Sequence, residues 1–229
     1  MDLYNRENTK QDDFSESTTA NPQATFIKQT YQLFAASLLA ASVGAYIGIG
    51  ITEIVASWFW GFVILEFGLL FGLYAAKKIP GLNLILLFGF TFVSGLTLGP
   101  ILTHTLSMSG GGSIVGNAFM LTTVAFGGLS IFAMNTKKDF SSMGKMLFIS
   151  LIIIIVASLI NIFLGSSIFQ LIISSISAIV FSAFILYDTQ NIINGKYETP
   201  IEGAIALYLD FLNLFLSLLQ ILGITNSDD

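Results

Sequence analysis

The sequence predicts an all-α, polytopic membrane protein with seven transmembrane helices. Three observations favour this fold class. Only 10% of the 229 residues are charged, the mean hydropathy is +0.82, and apolar runs of about 20 residues, the length that crosses a bilayer as a helix, recur along the chain. A soluble domain of this size has too few interior positions to bury so much apolar surface.

Polar residues come first in the chain, ahead of any apolar segment. Residues 1–25 carry several acidic and basic side chains and lack the basic start, apolar core and small-residue cleavage site of a signal peptide. We therefore predict a disordered cytoplasmic tail over 1–25 and a seven-helix transmembrane domain over 26–229.

Seven apolar segments follow, separated by short connections that contain turn-forming residues such as Pro80 and the glycines at 110–112. Each segment is interpreted as a helix because an unclosed strand cannot satisfy its backbone in lipid. Residues 151–156 also lack the alternation of a membrane β-barrel. The predicted helices cover residues 28–51, 53–76, 82–104, 114–134, 145–165, 168–190 and 200–223.

Small residues are dense in the first two segments. Gly44 and Gly48 are four positions apart, and so are Gly68 and Gly72. This spacing places both glycines of a pair on one helix face, where it allows two helix backbones to approach closely. We interpret both pairs as packing features.

The basic residues indicate the orientation of the chain. With seven spans, the tail and the connections between spans 2–3, 4–5 and 6–7 share one side of the membrane. All nine basic residues fall on that side, which the positive-inside rule makes cytoplasmic. They are Arg6, Lys10, Lys28, Lys77, Lys78, Lys137, Lys138, Lys145 and Lys196. The C-terminus then lies outside, and the expected location is the cytoplasmic (inner) membrane.

The seventh segment begins with a helix-capping sequence and continues with a polar stripe. Thr199, Pro200 and Glu202 have the order of a capping box. Further along, Asp210, Asn213, Ser217 and Gln220 are spaced by 3, 4 and 3 residues, which places them on one helix face. Such a stripe should face other helices or a water-filled cavity. The alternative is a purely structural hydrogen-bonded seam.

The sequence predicts that Asp188 and Asp210 form the functional centre. Both lie 11 residues from position 199 in the connection between the last two segments, so an antiparallel hairpin brings them to similar depth. Two close carboxylates in a low-dielectric site cannot both ionise cheaply, so we expect the pair to share a proton and release it near neutral pH. When ionised, the pair is a hard oxygen site suited to calcium. The alternative is that Asp188 sits at the interface and reaches water.

Three further charged residues are candidates for the same site. Glu66 lies in the middle of the second segment, where an acid is costly, so it either lines an ion path or is a protonated structural hydrogen-bonding group. Lys77 and Lys78 end that segment on the side of the aspartates. Either lysine is a candidate latch on the aspartate pair in a closed state, and the simpler alternative is an orientation anchor.

The remaining polar residues indicate no enzyme and no cofactor. There is no cysteine, the single histidine, His104, has no acidic or cysteine partners in sequence, and Gly110–Gly112 do not form a phosphate loop. No nucleophile–base arrangement and no basic patch for nucleic acid is present. Calcium is expected as a permeant ion and not as a bound cofactor.

Two motifs in the last third resemble the bacterial branch of the Bax inhibitor-1 family. These are Tyr187-Asp188-Thr189-Gln190 and the sequence Ala206-Leu-Tyr-Leu-Asp-Phe-Leu-Asn-Leu-Phe215, and residues 89–100 resemble the third helix of that family. The resemblance covers nearly all of the chain after residue 25. It implies seven helices with the last one central and pH-sensitive calcium leak activity. It also implies a role for the two aspartates as the pH sensor and for a basic residue at the end of the second helix as the latch.

The sequence thus leads to one main hypothesis and two rivals. The main one is a calcium leak channel gated by protons at Asp188 and Asp210. The first rival is a regulatory membrane protein that binds other membrane proteins, such as a membrane-anchored ATP-dependent protease, as some bacterial family members do. The second is an intramembrane aspartyl protease, which is disfavoured because Leu207-Tyr-Leu-Asp210 lacks the Gly-x-Gly-Asp motif of those enzymes.

Overall fold

The computed structural model describes residues 21–227, and within that range the backbone forms α-helices and one 3₁₀ turn, at Ser141–Met143. The helices are α1 (Pro22–Gly50), α2 (Thr52–Ser57), α3 (Phe59–Ala76), α4 (Leu82–Thr97), α5 (Gly99–Leu106), α6 (Gly111–Asn135), α7 (Gly144–Leu164), α8 (Ser167–Ile193) and α9 (Pro200–Ser227).

Seven of these elements are long and apolar enough to cross a membrane. They are α1, α3, the continuous pair α4–α5, α6, α7 with its preceding turn, α8 and α9. No strand occurs in residues 21–227. The prediction of an all-α protein with seven transmembrane helices is confirmed, and the chain is a multi-pass membrane protein.

The first helix begins six residues earlier than the sequence analysis placed it. Asn21 caps α1, since its side chain accepts a hydrogen bond of 3.0 Å from the backbone nitrogen of Gln23, and Pro22 occupies the first turn, where no donor is needed. Residues 22–25, which the predicted tail included, therefore belong to α1. The rest of that prediction concerns residues 1–20, which lie outside the described part of the chain.

Two predicted helices are interrupted in the structure. The short α2 precedes α3 inside the second predicted segment, and the third span bends at Leu98 between α4 and α5. Pro100 lies in the first turn of α5. A proline has no backbone N–H to donate to the preceding turn, so α4 cannot continue through this position as a regular helix.

Helices α1 and α4 approach each other through glycines. A Cβ atom at Gly44 would lie 2.1 Å from the carbonyl oxygen of Phe92, and one at Gly95 would lie 2.1 Å from that of Ala41. Gly48 packs on the same helix, whereas a Cβ at Gly68 would meet no atom within 4 Å. The packing role predicted for the first glycine pair is confirmed, and Gly68 has no such role in the monomer.

The connections predicted to share one side do lie together. Lys78 forms an ion pair of 2.8 Å with Glu198, which joins the α3–α4 and α8–α9 connections. Gln190 donates a hydrogen bond of 2.7 Å to the carbonyl oxygen of Lys138 in the α6–α7 connection. At the opposite face, Asn226 donates to the carbonyl oxygen of Ser109. We refer to these as the basic face and the opposite face.

Helix α9 is the most buried of the seven spans. Half of its membrane segment is buried, against 11–39% for the others. It packs against α1, α6 and α8, and Tyr208, Leu207 and Leu214 on it are fully buried. The polar stripe of the seventh segment is therefore held by its neighbours, while the expectation that all six other spans surround α9 stays a prediction.

Candidate functional site

The structure brings Asp188 and Asp210 together inside the α8–α9 hairpin. The two side chains are 6% and 4% exposed, and their carboxyl groups interact directly. The chain reverses through Gly195, which adopts the left-handed backbone conformation with φ of 64° that glycine tolerates best. The two acids therefore meet at similar depth, as their equal distance from the turn predicts.

Tyr197 covers this pair from the basic face. Its hydroxyl group donates a hydrogen bond of 2.6 Å to Oδ1 of Asp188. Burial, followed by the nearby charge of Asp188, raises the pKa of Tyr197, so the phenol keeps its proton at physiological pH and donates this hydrogen bond. The sequence does not single out Tyr197, because a tyrosine in a six-residue connection carries no pattern that assigns it a partner.

Two oxygen atoms at the site lack a hydrogen-bond donor. Oδ2 of Asp210 and Oδ1 of Asn191 are both buried and make no hydrogen bond. Asn191 lies next to Asp188 and interacts with it. Because an unpaired buried acceptor is costly, these oxygens favour the arrival of a proton, a water molecule or a cation. Both oxygens can therefore accept a hydrogen bond or contribute to binding a cation.

The side-chain oxygens of the site supply only part of a calcium coordination shell. Calcium usually takes about 6–8 oxygen ligands, and within residues 21–227 no group of three or more His, Cys, Asp or Glu side chains is placed to hold a metal. Asp188 and Asp210, with the amide of Asn191, supply three side chains at most.

Lys77 and Lys78 contact glutamates and not the aspartates in this structure. Lys77 Nζ lies 2.6 Å from Glu202 Oε1 and 3.2 Å from Glu198 Oε2, and Lys78 Nζ lies 2.8 Å from Glu198 Oε2. The hydrogen bond to Glu202 raises the pKa of Lys77, and the hydrogen bond from Lys78 lowers the pKa of Glu198. Both lysines thus fasten the end of α3 to the α8–α9 connection.

Glu202 performs the capping role that the sequence predicts and binds Lys77 as well. Its Oε2 accepts a hydrogen bond of 3.1 Å from the backbone nitrogen of Thr199, and its own nitrogen lies 3.4 Å from Thr199 Oγ1. These reciprocal contacts are those of a capping box. The free Oε1 is the atom that holds Lys77.

Glu66 lies apart from the aspartates, in a polar contact between α3 and α4. Thr97 donates a hydrogen bond of 2.6 Å to its Oε1. One turn away, Ser94 and the buried hydroxyl group of Tyr208 are 2.5 Å apart. Glu66 is therefore half-buried beside a hydrogen-bonded bridge from α4 to α9, and the structure does not bring it to the aspartate pair.

Asn213 and Ser217 continue the face of α9 that begins at Asp210. Both line a cavity of about 400 Å³ between α7, α8 and α9. Their donors are bound within the helix, since Asn213 Nδ2 lies 2.7 Å from the carbonyl oxygen of Leu209 and Ser217 Oγ lies 2.7 Å from that of Asn213. The polar stripe thus faces a cavity and neighbouring helices, as the sequence predicts.

Seven spanning helices with a buried acid pair in the last hairpin define a polytopic membrane protein with a membrane-embedded acidic site. The chain belongs to the Bax inhibitor-1 family. The profile of the family described as "Inhibitor of apoptosis-promoting Bax1" matches residues 23–227, which is nearly the whole described range, so the resemblance noted in the sequence is confirmed.

Relatives from bacteria and from a virus support the same assignment. An uncharacterised Campylobacter jejuni protein is 59% identical over 99% of this chain and 100% of its own length. A Vibrio cholerae protein described as an uncharacterised membrane protein is 42% identical over 89% of this chain and 91% of its own. The vaccinia virus "Golgi anti-apoptotic protein" is 41% identical over 69% of this chain and 65% of its own.

Proposed function

We propose that this protein is a pH-sensitive calcium leak channel of the cytoplasmic membrane, gated by protons at Asp188 and Asp210. The observation that carries the proposal is the buried, directly interacting acid pair in which Asp210 Oδ2 has no donor. Two such carboxyl groups hold a shared proton readily, and loss of that proton leaves two like charges in a low-dielectric site.

Ionisation of the pair changes both the geometry and the ligand preference of the site. Repulsion between two carboxylates favours separation of α8 and α9, and the same charges attract a hard cation. The hydroxyl group of Tyr197 donates a hydrogen bond to Asp188 Oδ1 in this structure. Separation of the helices must therefore either break this hydrogen bond or move Tyr197 together with Asp188. Proton release at the acid pair thereby affects the conformation of the α8–α9 connection.

The decisive experiment is calcium flux from liposomes over pH 5–8 for the wild type, Asp188→Asn, Asp210→Asn and the double variant. Each single variant should lose or displace the pH response, and the double variant should add little, because the pair acts as one unit. Asp139→Asn is the matched control, since Asp139 is an exposed acid in a connection. If both single variants keep the wild-type pH midpoint, the pair is not the sensor.

The location and orientation form part of the same proposal. In residues 21–227 the basic side chains lie in the basic-face connections or in the helix ends next to them, which supports a cytoplasmic basic face and an N-terminus inside the cell. A reporter fused after residue 229 should then report outside, and one inserted beside Lys138 should report cytoplasmic. Finding both reporters on one side contradicts the proposed topology.

A regulatory membrane protein is the second candidate. The observation that favours it is the name of the vaccinia relative, which describes an anti-apoptotic protein and not a channel. Such a protein would act by binding another membrane protein, for example a membrane-anchored ATP-dependent protease. Deletion of residues 1–20 separates the two functions, because loss of a binding handle should impair regulation and leave calcium flux from liposomes unchanged.

A further inference from the structure

The cavity between α7, α8 and α9 has a mainly apolar wall and a mixed wall. Helix α7 lines it with Leu and Ile side chains and Ser158. The wall formed by α8 and α9, here called the polar wall, contributes Ser177, Asn213 and Ser217 beside the apolar Ile173, Phe181 and Leu216. Ser177 follows the start of α8 by ten residues, which places it about 15 Å along that helix from the opposite face. Asp210 lies three residues, or about 4.5 Å, from Asn213 in the direction of the basic face. The cavity therefore occupies the half of the protein between the acid pair and the opposite face.

The polar wall offers hydrogen-bond acceptors to whatever fills the cavity. Asn213 and Ser217 use a donor on carbonyl groups of their own helix, which leaves the amide oxygen and the hydroxyl lone pairs available. Hydrocarbon chains cannot satisfy such groups. A volume of about 400 Å³ holds on the order of ten water molecules at the density of liquid water.

A cluster of neutral polar side chains lies at the end of the cavity nearest the opposite face. Gln220 Oε1 accepts hydrogen bonds from Gln170 Nε2 at 2.5 Å and from Ser174 Oγ at 2.6 Å. Gln170 Oε1 in turn accepts from Asn161 Nδ2 at 2.8 Å. This amide cluster, formed by Asn161, Gln170, Ser174 and Gln220, links α7, α8 and α9. Neutral hydrogen bonds of this kind exchange with water at little net cost.

We propose that the cavity is a hydrated vestibule for water and partly hydrated cations, and that the amide cluster is its gate toward the opposite face. The inference rests on the proposed function, because it supplies the outward half of the path that leads from Asp210. Its class of ligand follows from the lining: the cavity walls carry amide and hydroxyl groups and no charged side chain. The gate opens when water replaces the hydrogen bonds on Gln220.

Thiol accessibility tests the vestibule without any measurement of calcium. The chain has no cysteine, so single variants Ser177→Cys and Ser217→Cys carry one reactive group each. A charged, membrane-impermeant methanethiosulfonate reagent is added to proteoliposomes of the intact protein. Ser109→Cys, in an exposed connection on the opposite face, measures the fraction of molecules with that face outward. Ser175→Cys is the matched control, since Ser175 lies two residues from Ser177 but on the exposed side of α8.

Ser177→Cys and Ser217→Cys should react to the same final fraction as Ser109→Cys, while Ser175→Cys should not react because lipid excludes the reagent and disfavours the thiolate. Adding Gln220→Leu should raise the labelling rate at Ser217→Cys by about tenfold, the factor that corresponds to loss of one or two neutral hydrogen bonds. Ser174→Ala should give a smaller increase in the same direction.

Two results overturn the proposal. Cavity thiols that stay unreactive in the wild-type background show that the cavity is dry or filled by lipid. Equal labelling at Ser175 and Ser177 shows that the reagent reaches α8 by another route. Should calcium flux be absent while the cavity thiols react as expected, the proposed channel function fails and the hydrated vestibule stands.

Discussion

The hydroxyl group of Tyr197 offers a direct way to move the pH response of the acid pair. Tyr197→Phe removes the donor that lies 2.6 Å from Asp188 Oδ1 and keeps the ring that covers the site. The hydrogen bond favours the ionised carboxylate, so its loss favours the protonated pair. A hydrogen bond to a charged group contributes about 1.5–3 kcal/mol, and about 1.4 kcal/mol corresponds to one pH unit. The midpoint should therefore rise by about one to two pH units.

Two measurements check this prediction. Calcium flux from liposomes over pH 5–9 gives the midpoint of transport, and an infrared titration of the carboxyl band gives the protonation of the pair even if transport is absent. Tyr187→Phe is the control, because it makes the same chemical change in α8 at a residue without a hydrogen bond to either aspartate. An unchanged midpoint, a lower one, or an equal shift in Tyr187→Phe would refute the reasoning.

Further predictions concern the contacts around the site. Glu66→Gln keeps an acceptor for the hydroxyl group of Thr97, so the folded yield should be unchanged. A fall in calcium flux would then place Glu66 on the ion path. Collapse of the yield with unchanged flux per folded molecule would instead show that its role is structural. Gly95→Ala should cost about 1–3 kcal/mol through overpacking and lower the thermal midpoint, whereas Gly68→Ala should not, and equal effects would contradict the close α1–α4 contact. Hydrogen bonds from Lys78 and then Lys77 lower the pKa of Glu198 below its ordinary value of 4.5, so these ion pairs stabilise the α8–α9 connection fully above that value and are lost as pH falls through the lower pKa. Hydrogen exchange of residues 194–199 should rise there, and Lys78→Gln should weaken this pH dependence without removing it, because Lys77 still lies 3.2 Å from Glu198.

Local rules account for what the sequence predicts well. The seven spans follow from hydrophobic length alone, and the capping box at Thr199 and Glu202 depends only on residues four or fewer positions apart. The meeting of Asp188 with Asp210 also follows from a short-range constraint, since both positions are counted from one turn. Each of these features is fixed within a single helix or a single hairpin.

Contacts between separate hairpins could not be predicted in the same way. Asp210 lies ten residues into α9, about 15 Å along the helix from its start, whereas Glu202 lies in the first turn. Lys77 meets Glu202 in this structure. The rotation of each helix about its axis determines which residues become partners. In a weakly amphipathic membrane helix the sequence does not predict that rotation.

The same limit applies to the amide cluster. Gln220 belongs to a periodic stripe of α9, and its partner Gln170 is followed on α8 by Ser174 and Ser177, four and seven residues later. Nothing in the local pattern links the two residues. Packing of α8 against α9 brings them together, and only the structure identifies them as neighbours.

The double role of Glu202 has a consequence for how this protein can change over evolutionary time. One carboxyl group caps α9 and also neutralises Lys77. Glutamine at this position would keep the cap and lose the ion pair. Aspartate has a shorter side chain and would not reach both the backbone nitrogen of Thr199 and Nζ of Lys77. Substitution of Lys77 by an apolar residue would leave a carboxylate that the cap still requires. Positions 77 and 202 should therefore vary together among descendants of this sequence.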